Sequence, residues 1–161
     1  MKTMNRHLLK KCILLVAALC LAHLGALPAR ARDIFQEYDK VIFINQPQQL
    51  GVAYEQGKKV REFPVLTGDD ECPTDPGIYV IRVKVEDYYS KKFDVPMPYS
   101  LFFDWPGRRA IHEGGVPSRT EKRELATHGC IHVEPPHSEW LYNWAEEGDT
   151  AVVISGERSG D

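Results

Sequence analysis

Acidic residues are absent from the first 31 positions of this 161-residue sequence, although the chain as a whole carries 23 of them. The same stretch holds five of the 20 basic residues, so the remainder has 15 bases against 23 acids, a net charge of −8. A domain this acidic is a poor candidate for binding nucleic acid or an anionic membrane surface. Internal repeats and Pro- or Ser-rich linkers are also missing, which favours a single domain.

The N-terminal segment has the three-part pattern of a secretory signal peptide. Residues 1–11 are basic, residues 12–27 form an apolar run interrupted by His23, and residues 29–31 are Ala-Arg-Ala. The apolar run is shorter than the roughly 20 residues that a membrane-spanning helix needs, and no second run of that length follows. We therefore predict that residues 1–31 are cleaved and that residues 32–161 form an exported, soluble protein with no membrane span.

Cysteine is scarce, because only Cys72 and Cys130 remain after that cleavage. In an oxidising compartment, two cysteines usually suggest one disulfide bond. That interpretation competes with a reactive thiol, and a bond between these two residues would block such a thiol.

The hydrophobic pattern predicts a mostly β domain with about one helix. Residues 79–86 alternate between apolar and polar types as one half-buried strand would, and residues 55–58 form a hairpin turn. The helix is expected to begin at Pro135 and Pro136 and to end at Gly148. The other predicted strands are residues 41–44, 50–54, 59–65, 99–103, 109–112 and 151–154.

His128, Cys130 and His132 are spaced two apart, so in an extended segment their side chains lie on one face. A free thiol has a pKa of roughly 8.5, and a neighbouring imidazolium stabilises the thiolate. A thiolate can attack a carbonyl and form a thioester. Gly129 would let a substrate carbonyl approach the backbone closely, which makes the N–H groups of Gly129 and Cys130 candidate oxyanion donors.

Two other interpretations of these residues stay open on spacing alone. A buried cysteine is more often a small hydrophobic residue than a nucleophile. His112, His128, Cys130 and His132 could also form a four-ligand metal site, since zinc accepts both imidazole and thiolate ligands.

The order of these residues resembles the signature of the L,D-transpeptidase catalytic domain, also called the YkuD domain. His112 is followed, after 14 intervening residues, by Thr127-His128-Gly129-Cys130. The family pattern is a His, a spacer of about that length, then Ser or Thr, His, Gly and Cys. Residues 74–79, 97–101 and 138–150 are also similar to family segments, so the resemblance covers about residues 38–154.

The resemblance implies a single β-sandwich or barrel domain with Cys130 at the end of a groove. Cys130 would be the nucleophile, His112 the general base, and the backbone around Thr127, His128 and Gly129 the oxyanion site, with no cofactor and no metal. The substrates would be peptidoglycan stem peptides in the periplasm or cell-wall space. The acyl acceptor would be an amine of another stem or of a wall-linked protein, or water in an L,D-carboxypeptidase or an amidase-type hydrolase.

His132 departs from the family pattern, which usually has Arg or Asn two residues after the Cys. We predict that His132 binds substrate and makes activity pH-dependent or changes substrate choice. Arg109 and Arg119 are further candidates for binding stem carboxylates, and Cys72 is interpreted as an incidental thiol. The alternatives from other classes are a non-catalytic module that binds stem peptides and a metal-binding exported protein.

Overall fold

The computed structural model of the protein describes residues 34–106, 109–116 and 127–156. The predicted signal peptide, residues 1–31, and the predicted substrate-binding residue Arg119 lie outside these ranges. Within them, no helix has the length and apolar character needed to cross a membrane.

The described residues form nine strands, a helical turn at residues 34–37 and one longer helix, α1. The helix α1 spans His137–Trp144. The strands are β1 (Lys40–Asn45), β2 (Leu50–Glu55), β3 (Lys58–Pro64), β4 (Gly77–Val80), β5 (Val83–Ser90), β6 (Val95–Asp104), β7 (Arg109–Glu113), β8 (Ile131–Val133) and β9 (Thr150–Ser155).

The strands belong to two sheets, which confirms the predicted mostly β fold. Sheet I has five strands in the order β3-β2-β1-β9-β4, and sheet II has four in the order β5-β6-β7-β8. Each sheet contains one parallel pair, β1 with β9 in sheet I and β7 with β8 in sheet II, and the other pairs are antiparallel.

The hairpin and the start of the helix lie where the sequence predicted them. Glu55 pairs with Lys58 across a two-residue turn, in which Gln56 and Gly57 both have positive φ. The helix α1 begins directly after Pro136 but ends at Trp144, earlier than predicted. Gly148, with a φ of +81°, lies instead in the turn that leads into β9.

The single strand predicted for residues 79–86 is wrong, because the chain passes there from sheet I to sheet II. The Ile81 N–H donates to the Thr150 carbonyl at 2.9 Å, whereas the Arg82 N–H donates to the Phe102 carbonyl at 2.8 Å. These acceptors belong to β9 of sheet I and β6 of sheet II. The alternation of apolar and polar residues indicates which side chains are buried, but not which strand is the hydrogen-bonded partner. A chain that crosses from one sheet to the other can therefore keep the same pattern.

Three groups of buried side chains pack on different faces of the sheets. The main core lies between the sheets and includes Ile42, Ile111 and Ile131, with Leu141 of α1 packed into it. A second group on sheet I combines Val41 and Ala151 with residues of the helical turn. A third group, on sheet II, consists of Met97, Phe102 and Ala110, and Cys130 packs against it.

Candidate active site

The parallel pair β7 and β8 brings the predicted catalytic residues together. In this pair His112 lies opposite His132 and Ile111 lies opposite Ile131. Both isoleucines are in the core between the sheets, and because side chains alternate across a strand, His112 and His132 are directed to the other face of sheet II. Cys130 packs against Ala110 on that same face.

His128 does not join this row, so the prediction that three polar side chains share one face is wrong for it. Gly129 has a φ of +91°, in the left-handed region, and breaks the extended geometry between His128 and Cys130. The exposed imidazole of His128 instead stacks on Phe93, with ring centroids 4.5 Å apart and planes at 28°.

The hydrogen bond of His112 determines which ring nitrogen can accept a proton. Its Nδ1 lies 2.8 Å from the carbonyl oxygen of Glu113. A carbonyl only accepts, so Nδ1 carries the hydrogen and donates it, and Nε2 keeps the free lone pair. The side chain is only 6% exposed, and its ring meets that of His132 edge-on at 4.7 Å. Burial, followed by the neighbouring His132, lowers the pKa of His112 to about 4, so the imidazole is neutral at pH 7.

The Cys130 thiol is held in its protonated form. Burial raises the pKa of Cys130, while a hydrogen bond with the Ala110 backbone and the charge of Arg109 act in the opposite direction. With a neutral imidazole and a protonated thiol on one face, the thiol must lose its proton before it can act as the predicted nucleophile. The preformed thiolate that an imidazolium would stabilise is therefore not the resting state.

Two threonines hold the turn that carries the thiol. Thr127 Oγ1 accepts a hydrogen bond from the Gly129 N–H at 3.2 Å and donates to the Cys130 carbonyl at 2.5 Å. Thr74 Oγ1 donates to the Gly129 carbonyl at 3.1 Å and accepts from the Gly68 N–H at 2.9 Å. The Gly129 N–H, a predicted oxyanion donor, is thus already bonded to Thr127. Sequence reasoning gave Thr74 no role, although it opens a segment that resembles the family.

Close packing requires glycine at position 129. A Cβ there would lie 3.0 Å from the Pro73 carbonyl oxygen and 3.3 Å from Cδ of Arg109. The turn therefore packs against the loop before β4. Isolated bridges join the same loop to Thr127, through Gly68, and to His132 of β8, through Leu66. Glycine at this position therefore allows the turn to pack closely against the loop. This role is additional to the predicted one, in which it lets a substrate carbonyl approach the backbone.

The side chains of Arg109 and His132, which were predicted to bind substrate, already contact other groups of the protein. Arg109 Nε donates to Asp104 at 2.8 Å, and a terminal guanidinium nitrogen donates to Asp75 at 2.5 Å. His132 Nδ1 lies 3.4 Å from the Gly115 carbonyl oxygen, and burial lowers its pKa. A Cβ on Gly114 would lie 2.5 Å from the His132 ring, so this glycine makes room for the imidazole.

The predicted metal and disulfide alternatives do not assemble in the described part of the chain. No group of three or more His, Cys, Asp or Glu residues there is arranged to hold a metal ion. His128 is stacked on Phe93, whereas His132 contacts His112. Cys72 and Cys130 are both free thiols.

A cleft of about 670 Å³ opens beside the thiol. Cys130, His128 and Arg109 line one part of it, and residues 88–93 at the tip of the β5–β6 hairpin line another. Exposed aromatic side chains stand around it, with Tyr89 and Trp105 each 51% exposed and Phe93 40% exposed. Sequence reasoning missed the hairpin tip, whose only signal was an aromatic and basic run between two strands.

Comparisons with known proteins agree with this architecture. The family model described as the L,D-transpeptidase catalytic domain, YkuD, matches residues 39–154. The curated L,D-transpeptidase 2 of Mycobacterium tuberculosis (strain CDC 1551 / Oshkosh) is 24% identical over 110 residues, which are 62% of this chain and 27% of that protein. The chain thus spans about a quarter of the length of this curated relative.

Solved structures show the same fold. An L,D-transpeptidase from Stackebrandtia nassauensis is 28% identical, with a TM-score of 0.68 over 76% of this chain and 58% of its own. The L,D-transpeptidase of Enterococcus faecium, solved as a C442S mutant, is 23% identical, with a TM-score of 0.63 over 73% of this chain and 50% of its own.

Proposed function

We propose a function for this chain from one established premise: it belongs to the L,D-transpeptidase catalytic domain family, also called the YkuD family. The chain is an exported cysteine acyl transferase, and its substrates are the peptide stems of bacterial peptidoglycan. The observation that carries the proposal is the pairing of β7 with β8. Through this pairing, His112, which is buried and neutral, and Cys130 lie on the same face of sheet II, and Cys130 also lines a cleft.

The tautomer of His112 suits it to act as the general base. Because Nδ1–H is bound to the Glu113 carbonyl, Nε2 is the atom that accepts a proton. Nε2 takes the proton of the Cys130 thiol as the sulfur attacks the carbonyl of the third stem residue. The tetrahedral intermediate collapses, the amide bond breaks, and the terminal D-residue leaves as an amine with the proton from His112. A thioester on Cys130 remains.

The second half of the reaction repeats these proton transfers with a new nucleophile. An amine from another stem, or from a wall-linked protein, gives its proton to His112 and attacks the thioester. The new amide forms, and Cys130 leaves as a thiol after taking that proton back. Attack by water would give a free carboxylate instead, so hydrolysis differs only in the acceptor.

Backbone donors of the turn would stabilise the oxyanion of each tetrahedral intermediate. The Cys130 N–H is the first candidate. The Gly129 N–H becomes available when its hydrogen bond to Thr127 Oγ1, 3.2 Å long, is released. Thr127 is buried, and we assign it the role of holding this turn rather than contacting the substrate.

The test is a search for the acyl-enzyme. The protein purified after export, expected to begin near Arg32, is incubated with tetrapeptide stems and analysed by intact mass spectrometry and peptide mapping. The expected result is a covalent adduct on Cys130 with loss of the terminal D-residue, absent in Cys130→Ala. A second stem added as acceptor gives a cross-linked product, whereas hydrolysis alone gives a tripeptide. Binding of the stem with no adduct would refute the enzyme and favour a binding module.

A further inference from the structure

We propose that Lys91 and Lys92, at the tip of the β5–β6 hairpin, form a carboxylate-binding subsite that selects peptides by their negative charge. The inference rests on the proposed function and deepens it, because it names the residues that would recognise the charge of the substrate. Both lysines are exposed and line the cleft that also holds Cys130.

The first argument is the distribution of positive charge around the cleft. Its cationic lining residues within the described ranges are Lys91, Lys92 and Arg109. Arg109 is already paired with Asp75 and Asp104, so its charge is largely compensated. The ion pairs found among the described residues involve neither lysine. Among the described lining residues, the hairpin tip therefore contributes the uncompensated positive charge.

His112 and His132, on the face of sheet II that carries the thiol, do not supply a competing cation. Burial lowers the pKa of His132 as well as that of His112, so both imidazoles are neutral at pH 7. In the part of the cleft lining that the structure describes, a peptide carboxylate thus meets ammonium groups at the hairpin tip alone. Ammonium groups on flexible stems attract carboxylates as point charges and adapt to their position.

The second argument is that three contacts order the tip. Phe93 stacks on His128, which is two residues from the nucleophile, so the tip is attached to the turn that carries Cys130. Lys92 Nζ lies 4.8 Å from the centroid of the Phe93 ring. Within the hairpin, the Tyr89 hydroxyl donates a hydrogen bond to Asp94 Oδ1 at 2.7 Å.

Size and composition also fit a short peptide. A cleft of about 670 Å³ lies within the usual range for small-ligand sites, about 300–1,000 Å³. The aromatic side chains of Tyr89 and Trp105 offer apolar surface, while the lysines offer charge. The match is to a peptide with small apolar residues and a free carboxylate near its scissile bond.

The experiment compares two peptides and three proteins. One tetrapeptide stem carries a free side-chain carboxylate next to the scissile bond, and its partner carries a carboxamide there. The proteins are the wild type, the double variant K91E/K92E, and K58E as a control in the β2–β3 hairpin of the other sheet. The rate of Cys130 acylation is measured against peptide concentration by mass spectrometry, at low and at high salt.

We expect K91E/K92E to raise the KM for the carboxylate peptide by at least about tenfold while leaving kcat close to that of the wild type. The carboxamide peptide should change little, and K58E should match the wild type with both peptides. High salt should reduce the difference between the two peptides, because exposed charges are screened. A neutral variant, K91Q/K92Q, should fall between the wild type and the charge reversal.

Two results would overturn the subsite. If K91E/K92E raised the KM equally for both peptides, the substitutions would act through the structure of the tip and not through its charge. If the KM were unchanged for both peptides, the lysines would not contact the substrate. Failure of the proposed function gives a different result, since no peptide would then acylate wild-type Cys130 even though a neutral alkylating reagent modifies it. In that case the binding of the two peptides is measured by calorimetry. The subsite requires that the wild type binds the carboxylate peptide more tightly than the carboxamide peptide and that K91E/K92E shows no such preference.

Discussion

The outer faces of the two sheets are covered in different ways. On sheet I, Val41 and Ala151 pack with Ile34, and Phe35 and Tyr38 add to the same cluster. On sheet II, the corresponding group of Met97, Phe102 and Ala110 has Cys130 packed against it, beside an open cleft. The strands of both sheets bury a common core, so the comparison separates residues that stabilise the fold from those that surround the proposed nucleophile.

Of the substitutions considered, that of His112 in sheet II should lower the rate of Cys130 acylation the most. It should leave the packing of sheet I unchanged. We expect His112→Ala to lower the rate of Cys130 acylation by about 10²–10⁴-fold, the usual contribution of a general base. The measurement is single-turnover mass spectrometry with a stem peptide. Thermal unfolding serves as the control, and a variant that stays folded yet acylates at the wild-type rate would remove His112 from the mechanism.

A core substitution in sheet I should have the opposite profile. Ile42 is fully buried between the sheets, and Ile42→Ala should reduce the free energy of unfolding by about 2–5 kcal/mol through lost contacts and a cavity. Urea denaturation measures this loss. The acylation rate per folded molecule should stay close to that of the wild type; a fully folded variant with impaired chemistry would show that sheet I belongs to the site.

Two glycines with positive φ offer a matched test of the comparison. Gly57, in the turn that joins β2 and β3 of sheet I, has a φ of +72° and open space where a Cβ would lie. Gly129 has a φ of +91°, and a Cβ there would lie 3.0 Å from the Pro73 carbonyl oxygen. Both changes to alanine place a side chain on left-handed backbone, which costs about 1–2 kcal/mol. Only Gly129→Ala should also displace the Cys130 turn and lower acylation, by at least about tenfold. Equal activity of the two variants in the acylation assay would contradict this account of the turn.

The pH–rate profile tests whether the resting pair is neutral. Burial lowers the pKa of His112 to about 4, so the base loses its lone pair to a proton as the pH falls through about 4, and kcat/KM should fall with it. Burial also raises the pKa of Cys130, so alkylation by iodoacetamide should increase only at alkaline pH. Between these limits kcat/KM should form a broad plateau. A thiolate titrating near neutral pH, seen by ultraviolet absorbance, would instead indicate an imidazolium–thiolate pair.

The same shift affects stability. His112 is neutral when buried and titrates at its ordinary pKa, near 6.5, when unfolded. The unfolded chain therefore binds more protons between these values, and stability is lost as the pH falls from about 6.5 towards 4. Urea denaturation at a series of pH values should show this slope in the wild type and a shallower one in His112→Asn.

The sequence predicted the mostly β fold class because periodicity is a local property. The roles of Cys130 and His112 were inferred from the resemblance to the family and stay predictions. Two errors occurred where geometry depends on distant partners. Residues 79–86 kept their alternation across a change of sheet, and His128 left the row of polar side chains because Gly129 turns the backbone. The hairpin tip was missed for a related reason, since the stack of Phe93 on His128 joins residues 35 positions apart and leaves no local pattern.

The smallest expected effect concerns His132, where the chain departs from the family pattern. Its ring meets that of His112 at 4.7 Å, and it is the second cause, after burial, that lowers the pKa of His112. His132→Asn removes that influence, so the acid limit of kcat/KM should move to slightly higher pH while the plateau changes little. His137→Asn is the matched control, because His137 also has a lowered pKa but packs near Phe63 and Arg61. If both variants shift the pH–rate profile equally, the shift reflects the net charge of the protein. His132 would then have no specific effect on the pKa of His112.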